Sequence, residues 1–391
     1  MGGSNNCTAC QKIPLEIWTS FLVENVLIPV LSGLGLVGNI LAIVVLRNPG
    51  MKSTFHQSLI ALASCDIMFL SLIILDYSEN ISSKFYIIIF PYFLNPMKNI
   101  LLCWGTFLTM SITTERFLAV CKPLLYRTHK LRYSTPVHLL TYILPPVFIS
   151  LILNIPKFLE AKFIVRNKTD SQNITFEVLD FSFTQLRLNP TYIYYYTHWT
   201  RLICTGIVPF FYLLLTNTCI FITMRRSKKS FPKVIFQCSN NGKLFQKRKY
   251  PQKSSITLVA IVVLYLICNT PRLLLNCVEY HYFSFIMDGD FCECSRLTFF
   301  FELLLIINHL SLVINSSANI LIYFSISKIF KKKLLHNLRF NYMKSVKSCS
   351  EQIKTKSVGA SNSFPVFTKV TYVDKINYTD SHGRRRISFS V

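Results

Sequence analysis

The chain has 391 residues, of which 51% are hydrophobic and only 15% charged, against roughly 25% charged in a typical soluble protein. With 32 Phe, 19 Tyr and a mean hydropathy of +0.39, it excludes a disordered chain, a coiled coil or a small disulfide scaffold and reads as a polytopic membrane protein. The formal net charge of +24 invites a nucleic-acid partner, so the placement of that charge has to decide.

Residues 1–20 are polar and lack the basic-then-apolar order of a cleavable signal peptide, so the first span is expected to act as the signal. Met1-Gly2 resembles a myristoylation start, but Asn6 stands where Ser or Thr is required. A helix needs about 20 apolar residues to cross the hydrocarbon core. Seven stretches are long enough: Phe21–Leu46, Phe55–Leu75, Tyr86–Val120, Pro136–Ile155, Ile193–Met224, Ile256–Val278 and Leu297–Phe324. Pro91, Pro96 and Lys98 interrupt the third, leaving six spans plus a re-entrant segment as an alternative. Beyond the last span, Ile326, Ile329, Phe330, Leu334 and Leu338 alternate with Lys328, Lys331, Lys332 and Lys333, a pattern for an amphipathic helix over 325–340 lying on anionic lipid. Residues 341–391 are Lys- and Ser-rich and read as a disordered tail. The expected organisation is therefore a tail over 1–20, an all-α seven-helix domain over 21–324, a surface helix and a second tail.

With the amino terminus outside, 31 of the 42 Lys and Arg fall on the inner side beside four acids, while the outer side has 11 bases and 13 acids. This is the positive-inside asymmetry, not a nucleic-acid footprint. It predicts a multi-pass plasma-membrane protein with its amino terminus extracellular and its carboxyl terminus cytoplasmic. Asn6, Asn167 and Asn173 open glycosylation sequons on the side expected to be extracellular. No H-E-x-x-H, G-x-S-x-G or P-loop motif occurs, so no enzyme, cofactor or metal centre is expected.

Motifs narrow the class. Gly38-Asn39 lies in the first helix and Leu59-x-x-Ala-x-x-Cys-Asp66 in the second. Thr114-Glu115-Arg116-Phe117 closes the third, Pro209 lies in the fifth and Cys268-Asn269-Thr270-Pro271 in the sixth. The seventh reads Asn315-Ser316-Ser317-Ala318-Asn319-Ile320-Leu321-Ile322-Tyr323. In this order and at these depths the motifs resemble rhodopsin-like G-protein-coupled receptors. Leu186-Arg187-Leu188-Asn189 leading to Trp199, Asn154-Ile155-Pro156-Lys157-Phe158-Leu159-Glu160, and Arg272 through Asn276 further resemble invertebrate FMRFamide neuropeptide receptors.

The resemblance implies an extracellular neuropeptide ligand, a heterotrimeric G protein inside, and arrestin and a kinase at the tail, with Ser388 in Arg385-Arg386-Ile387-Ser388 as a phosphorylation site. It implies that Asp66, with Asn39, Asn315 and Asn319 close by, forms a polar network able to hold an allosteric sodium ion. Gly105, where the family commonly has a hydroxyl, would weaken that site. The alternative is a protonated Asp66 in a static network. Arg116 resembles the switch arginine, pairing with Glu115 at rest and reaching Tyr323 or the G protein on activation. Pro209 and Pro271 would provide the bends. No acid stands at the inner end of the sixth helix to lock Arg116, so appreciable basal activity is expected.

Asn269 and Ile320 replace the family's tryptophan and proline, and Pro91 replaces its third-helix cysteine. Cys7, Cys10, Cys292 and Cys294 remain outside, paired between tail and loop, within each couple, or not at all. For a cationic Arg on the ligand the candidate carboxylates are Glu279, Glu302 and Asp76, with Lys98, Arg201 and Arg272 competing for them. A receptor for a different peptide or small ligand, and a ligand-gated seven-helix chemosensory channel of opposite topology, are the rival readings.

Overall fold

The computed structural model describes residues 21–48, 53–77, 83–132, 134–169, 175–230, 252–287, 294–327 and 330–336, and two short strands in the tail. It divides into compact units Met1–His336 and Asn337–Val391. Of the second unit, only the antiparallel pair Tyr378–Thr379 and Arg385–Arg386 is described.

Seven helices are long and apolar enough to cross a membrane. They are α1 (Leu22–Leu46), α2 (Thr54–Tyr77), α3 (Tyr86–Cys121), α4 (Pro136–Leu159), α5 (Pro190–Arg226), α6 (Gln252–Met287) and α7 (Cys294–Ser317). The expected seven-helix bundle is thus the observed one, with the third stretch a full span.

The packing differs from that of a soluble helix. In α1 the buried side is small or polar at its middle, Ser32, Gly35, Gly38, Asn39 and Ala42, with Ile28, Val45 and Leu46 buried at its ends, while Leu34 and Val37 are 66% and 56% exposed. Large apolar residues face outward because hydrocarbon is their solvent, and small ones let backbones approach. A Cβ on Gly38 would lie 2.8 Å from Ile320 Cγ2.

The helical ladder is interrupted in α3, α5 and α7. A π-helical stretch Phe90–Leu94 contains Pro91, and two more, Ile193–Thr200 and Leu202–Ile207, precede Pro209. A proline lacks the N–H that an α ladder needs, so Pro209 frees the Thr205 carbonyl and the wider turn Leu202–Ile207 accommodates it. In α7 the helix breaks at Ala318 and resumes as Asn319–Ile326, although Ile320 stands where a proline was expected. Asn39 Nδ2 donates to the Ser316 carbonyl at 2.9 Å, the group that would receive the Ile320 N–H in an unbroken helix. Ser317 Oγ donates to the Leu31 carbonyl at 3.1 Å. These α1 contacts draw α7 out of its ladder where the family uses a proline.

Between α4 and α5, β1 (Ala161–Thr169) and β2 (Thr175–Phe183) form an antiparallel hairpin, Ala161 opposite Phe183 and Thr169 opposite Thr175. Its base is tied by Thr184 N–H to the Glu160 carbonyl (3.0 Å) and Thr184 Oγ1 to the Leu159 carbonyl (2.6 Å). Phe163 meets Tyr92 of α3 edge-on at 6.2 Å. At the opposite end of the bundle, residues 330–336 are helical, with Phe330 and Leu334 buried and Lys331 and Lys332 exposed. The rest of the proposed 325–340 surface helix includes positions outside the described residues.

Candidate functional site

A cavity of about 300 Å³ opens at the hairpin end, lined by residues of all seven helices and by the hairpin's Phe183. Five cations line it, Lys98, Lys157, Arg187, Arg201 and Arg272, against two carboxylates, Asp76 and Glu160. Both acids are engaged. Asp76 Oδ2 pairs with Lys98, and Asp76 Oδ1 accepts from the Tyr86 hydroxyl at 2.9 Å. Glu160 receives Lys157 Nζ (2.8 and 2.9 Å on its two oxygens) and the Tyr192 hydroxyl (2.8 Å), with Arg187 Nε at 3.8 Å. Lys157 and Glu160 are 5% and 4% exposed, so this is a buried ion cluster, the kind that survives only when every partner is placed.

Of the six residues proposed to meet the ligand, Asp76, Lys98, Arg201 and Arg272 line this cavity. Glu302 lies next to Phe301 on α7, about 100° further round the helix from that cavity-lining residue. Glu279 lies on α6, but its side chain is outside the described residues. Asp76, committed to Lys98 and Tyr86, is not a vacant carboxylate.

Three polar groups on the wall are less well provided for. Arg272 is 8% exposed and has no hydrogen-bond or ion-pair partner among the described residues. Asn276 and Asn308 are 3% and 6% exposed, and the Asn276 Nδ2 and Asn308 Oδ1 atoms have no partner. An unmet buried polar group costs about 1–3 kcal/mol, more for a charge.

Below this lies a second cavity of about 30 Å³, with Asp66, Gly105, Thr106, Asn315, Ser316, Asn319 and Arg272 on its walls. Asn319 Nδ2 donates to Asp66 Oδ2 at 2.8 Å, and Ser316 lines the same cavity. The sequence grouped Asn39 and Asn315 with this carboxylate. Asn39 instead spends its N–H groups on the Gly35 and Ser316 carbonyls, both at 2.9 Å, bracing α1 against α7, and Asn315 lines the cavity without bonding Asp66. For a sodium ion the donor set fits in kind: Asp66, Ser316 and Asn319 offer oxygens around a space of ion or single-water size. The Arg272 guanidinium on the same wall opposes a cation.

At the other end, Glu115 and Arg116 are buried at the foot of α3, with Arg116 Nη2 3.5 Å from Glu115 Oε2. Glu115 Oε1 accepts from the Tyr126 hydroxyl at 2.9 Å, on the helix Pro123–Arg132 that follows α3. Burial, and then the Glu115 charge, push the Tyr126 phenol well above its ordinary pKa. The Arg116 guanidinium stacks on Phe55 of α2, 3.9 Å from the ring centroid. Tyr323 is 2% exposed, packs on Phe330, and its hydroxyl has no hydrogen-bond partner.

Sequence reasoning missed Glu160, Asn276 and Asn308 as site residues. Lys157 and Glu160 at i,i+3 were a usable signal. Asn6, Asn173, Cys7, Cys10, Cys292 and Ser388 lie outside the described residues; Asn167 is in β1 and Cys294 begins α7, without described side chains. Among the described residues no group of three or more His, Cys, Asp or Glu could hold a metal ion.

The chain matches the family described as 7 transmembrane receptor (rhodopsin family) over residues 38–323. It is similar to the FMRFamide receptor of Drosophila melanogaster, 27% identical over 331 residues, which is 82% of this chain and 54% of that protein. The chain thus spans about half the length of that relative. Two Caenorhabditis elegans proteins are each 23% identical: probable G-protein coupled receptor frpr-1 over 341 residues (82% of this chain, 80% of the relative) and FMRFamide peptide receptor frpr-18 over 320 (78% and 66%).

Proposed function

Because the chain belongs to the rhodopsin family of seven-transmembrane receptors, we propose that it is a G-protein-coupled receptor for an amidated, FMRFamide-like neuropeptide. The observation that carries the reading is the polar cavity at the hairpin end, set in a bundle whose relatives include two named as FMRFamide receptors. A cavity of about 300 Å³ takes the end of a peptide rather than a whole one. The mixed charge suits a ligand with both cationic and acceptor groups, and the cationic excess disfavours a monoamine. The family is one of receptors rather than enzymes.

In this reading the hairpin end is extracellular, the amino terminus is outside, and the basic segments 225–253 and 328–391 face the cytoplasm of a plasma-membrane receptor. The ligand tilts a two-state equilibrium toward an open inner face. Arg116 then leaves Phe55 and Glu115 and reaches the Tyr323 hydroxyl or the G protein, while Pro209 and Pro271 bend their helices. Asp66, Ser316 and Asn319 would hold a sodium ion favouring the closed state, weakened by Gly105 and Arg272. Glu279 and Glu302 are the candidate carboxylates for a ligand Arg. Asn6, Asn167 and Asn173 carry glycans, Ser388 takes phosphate for arrestin, and Lys331 and Lys332 meet anionic lipid. Cys7, Cys10, Cys292 and Cys294 supply any outer bridge.

The test is calcium and cAMP signalling in cells expressing the chain, challenged with amidated RF peptides and their free-acid twins. A nanomolar response to the amides is expected. Silence to every RFamide, with the receptor demonstrated at the surface, would refute the peptide class. Under the same reading, Glu279→Gln lowers agonist potency without lowering surface expression.

A further inference from the structure

The charges around the hairpin-end cavity do not cancel, and the surplus settles on one buried side chain. Of the two carboxylates on the wall, Asp76 is taken by Lys98 and Tyr86, and Glu160 by Lys157, Tyr192 and the Arg187 guanidinium. Arg272 lines the same wall, is 8% exposed, and has no hydrogen-bond or ion-pair partner among the described residues. It borders three open spaces: the cavity of about 300 Å³, the Asp66 cavity of about 30 Å³, and a third of about 10 Å³ between α5 and α6. The acid of α6, Glu279, stands seven residues on, about 10 Å further along the helix axis.

A guanidinium does not escape burial by losing its proton, as a lysine can. Water solvates it but brings no charge, and a buried charge without a counter-charge is strongly unfavourable. Arg201 lines the same cavity and adds to its positive potential, which low-dielectric walls focus. The simplest counter-charge is then a small mobile anion drawn from solution.

We propose that Arg272 is a binding site for a small monovalent anion, a halide such as chloride, held in the hairpin-end cavity before any peptide arrives. The site goes beyond the peptide-receptor reading and takes from it only that the cavity opens to the extracellular side, where chloride is the abundant anion. A halide accepts hydrogen bonds from any direction, so it needs no pattern of partners beyond the N–H groups that a guanidinium supplies. Held there, it also offsets the charge with which Arg272 opposes a cation in the Asp66 cavity.

The test uses purified full-length receptor without agonist. Thermal unfolding is followed in titrations of sodium chloride, bromide and gluconate at equal ionic strength, for wild type, Arg272→Gln and Lys162→Gln, the last an exposed lysine of the hairpin. Chloride and bromide should raise the wild-type unfolding temperature over gluconate along a saturating curve, by about 2–4 °C at ten times the dissociation constant. Lys162→Gln should keep that rise. Arg272→Gln should lose it, and in gluconate should unfold no lower than wild type, since it has no buried charge to neutralise. Should Arg272→Gln fail to fold, the wild type alone decides: it should broaden the chloride NMR line saturably, and bromide should reverse the broadening.

A wild type that unfolds alike in chloride and gluconate overturns the site. So does a halide effect that Arg272→Gln retains, or a chloride line that the wild type leaves sharp. None of these outcomes touches the peptide reading, which agonist signalling tests separately, and silence to RF peptides leaves the halide result standing.

Discussion

Glu160 sits four residues past a helix-ending proline, yet it gathers two cations and a phenol at the cavity rim. Breaking such a buried pair from one side strands the remaining charges, at a cost of about 3–5 kcal/mol. Glu160→Gln should therefore lower the thermal stability and surface level of the receptor. Adding Lys157→Met should recover part of the loss, because the pair is then removed together. Thermal unfolding of the purified single and double variants checks this. At the opposite end, Arg116 is held by a ring rather than by an acid on α6. The Phe55 face contributes about 0.5–2 kcal/mol to that resting position. Phe55→Leu should raise ligand-independent signalling severalfold, measured as basal second messenger per receptor at the surface. An unchanged basal level would mean the stacking does not hold the resting state.

Helices α1 and α7 show how one contact replaces another. Gly35 has no room for a side chain: a Cβ there would come within 2.7 Å of Ser317 Cβ and 2.8 Å of Leu70 Cδ1. Gly35→Ala should cost about 1–3 kcal/mol through overpacking and loosen the α7 break, visible as a lower unfolding temperature and weaker agonist signalling. Such details were not legible in the chain. The seven spans were, since about 20 apolar residues announce a crossing whatever surrounds them. Which face of each span turns inward was not, because hydrocarbon tolerates Leu34 on the outside as readily as a core would. The hairpin also escaped notice, since its strands carry Lys162, Arg166 and Asp180 among the apolar residues. For Asp66, Glu115 and Arg116, motif and depth sufficed, because a charge inside a span needs a reason to be there. For Asn276 and Asn308 nothing in the sequence separates an unmet amide from a satisfied one.

Over the whole molecule, the proposed orientation rests on charge. The segments proposed to face the cytoplasm carry 31 of the 42 Lys and Arg, so an epitope at the amino terminus should be reached by antibody on intact cells, and one at the carboxyl terminus only after permeabilisation. The reverse pattern would favour the channel topology. The hairpin over the cavity carries a further consequence. Residues 156–192 contain no cysteine, and the strands are held by Thr184, Glu160 and the Tyr92–Phe163 contact. Where disulfide chemistry takes seconds to hours, a hairpin closes in about 1–10 μs. The lid of this receptor can therefore assemble without an oxidant, and a reductant has no bond in it to cut. Its doorway should keep its shape in an internalised, thiol-rich vesicle as well as at the cell surface.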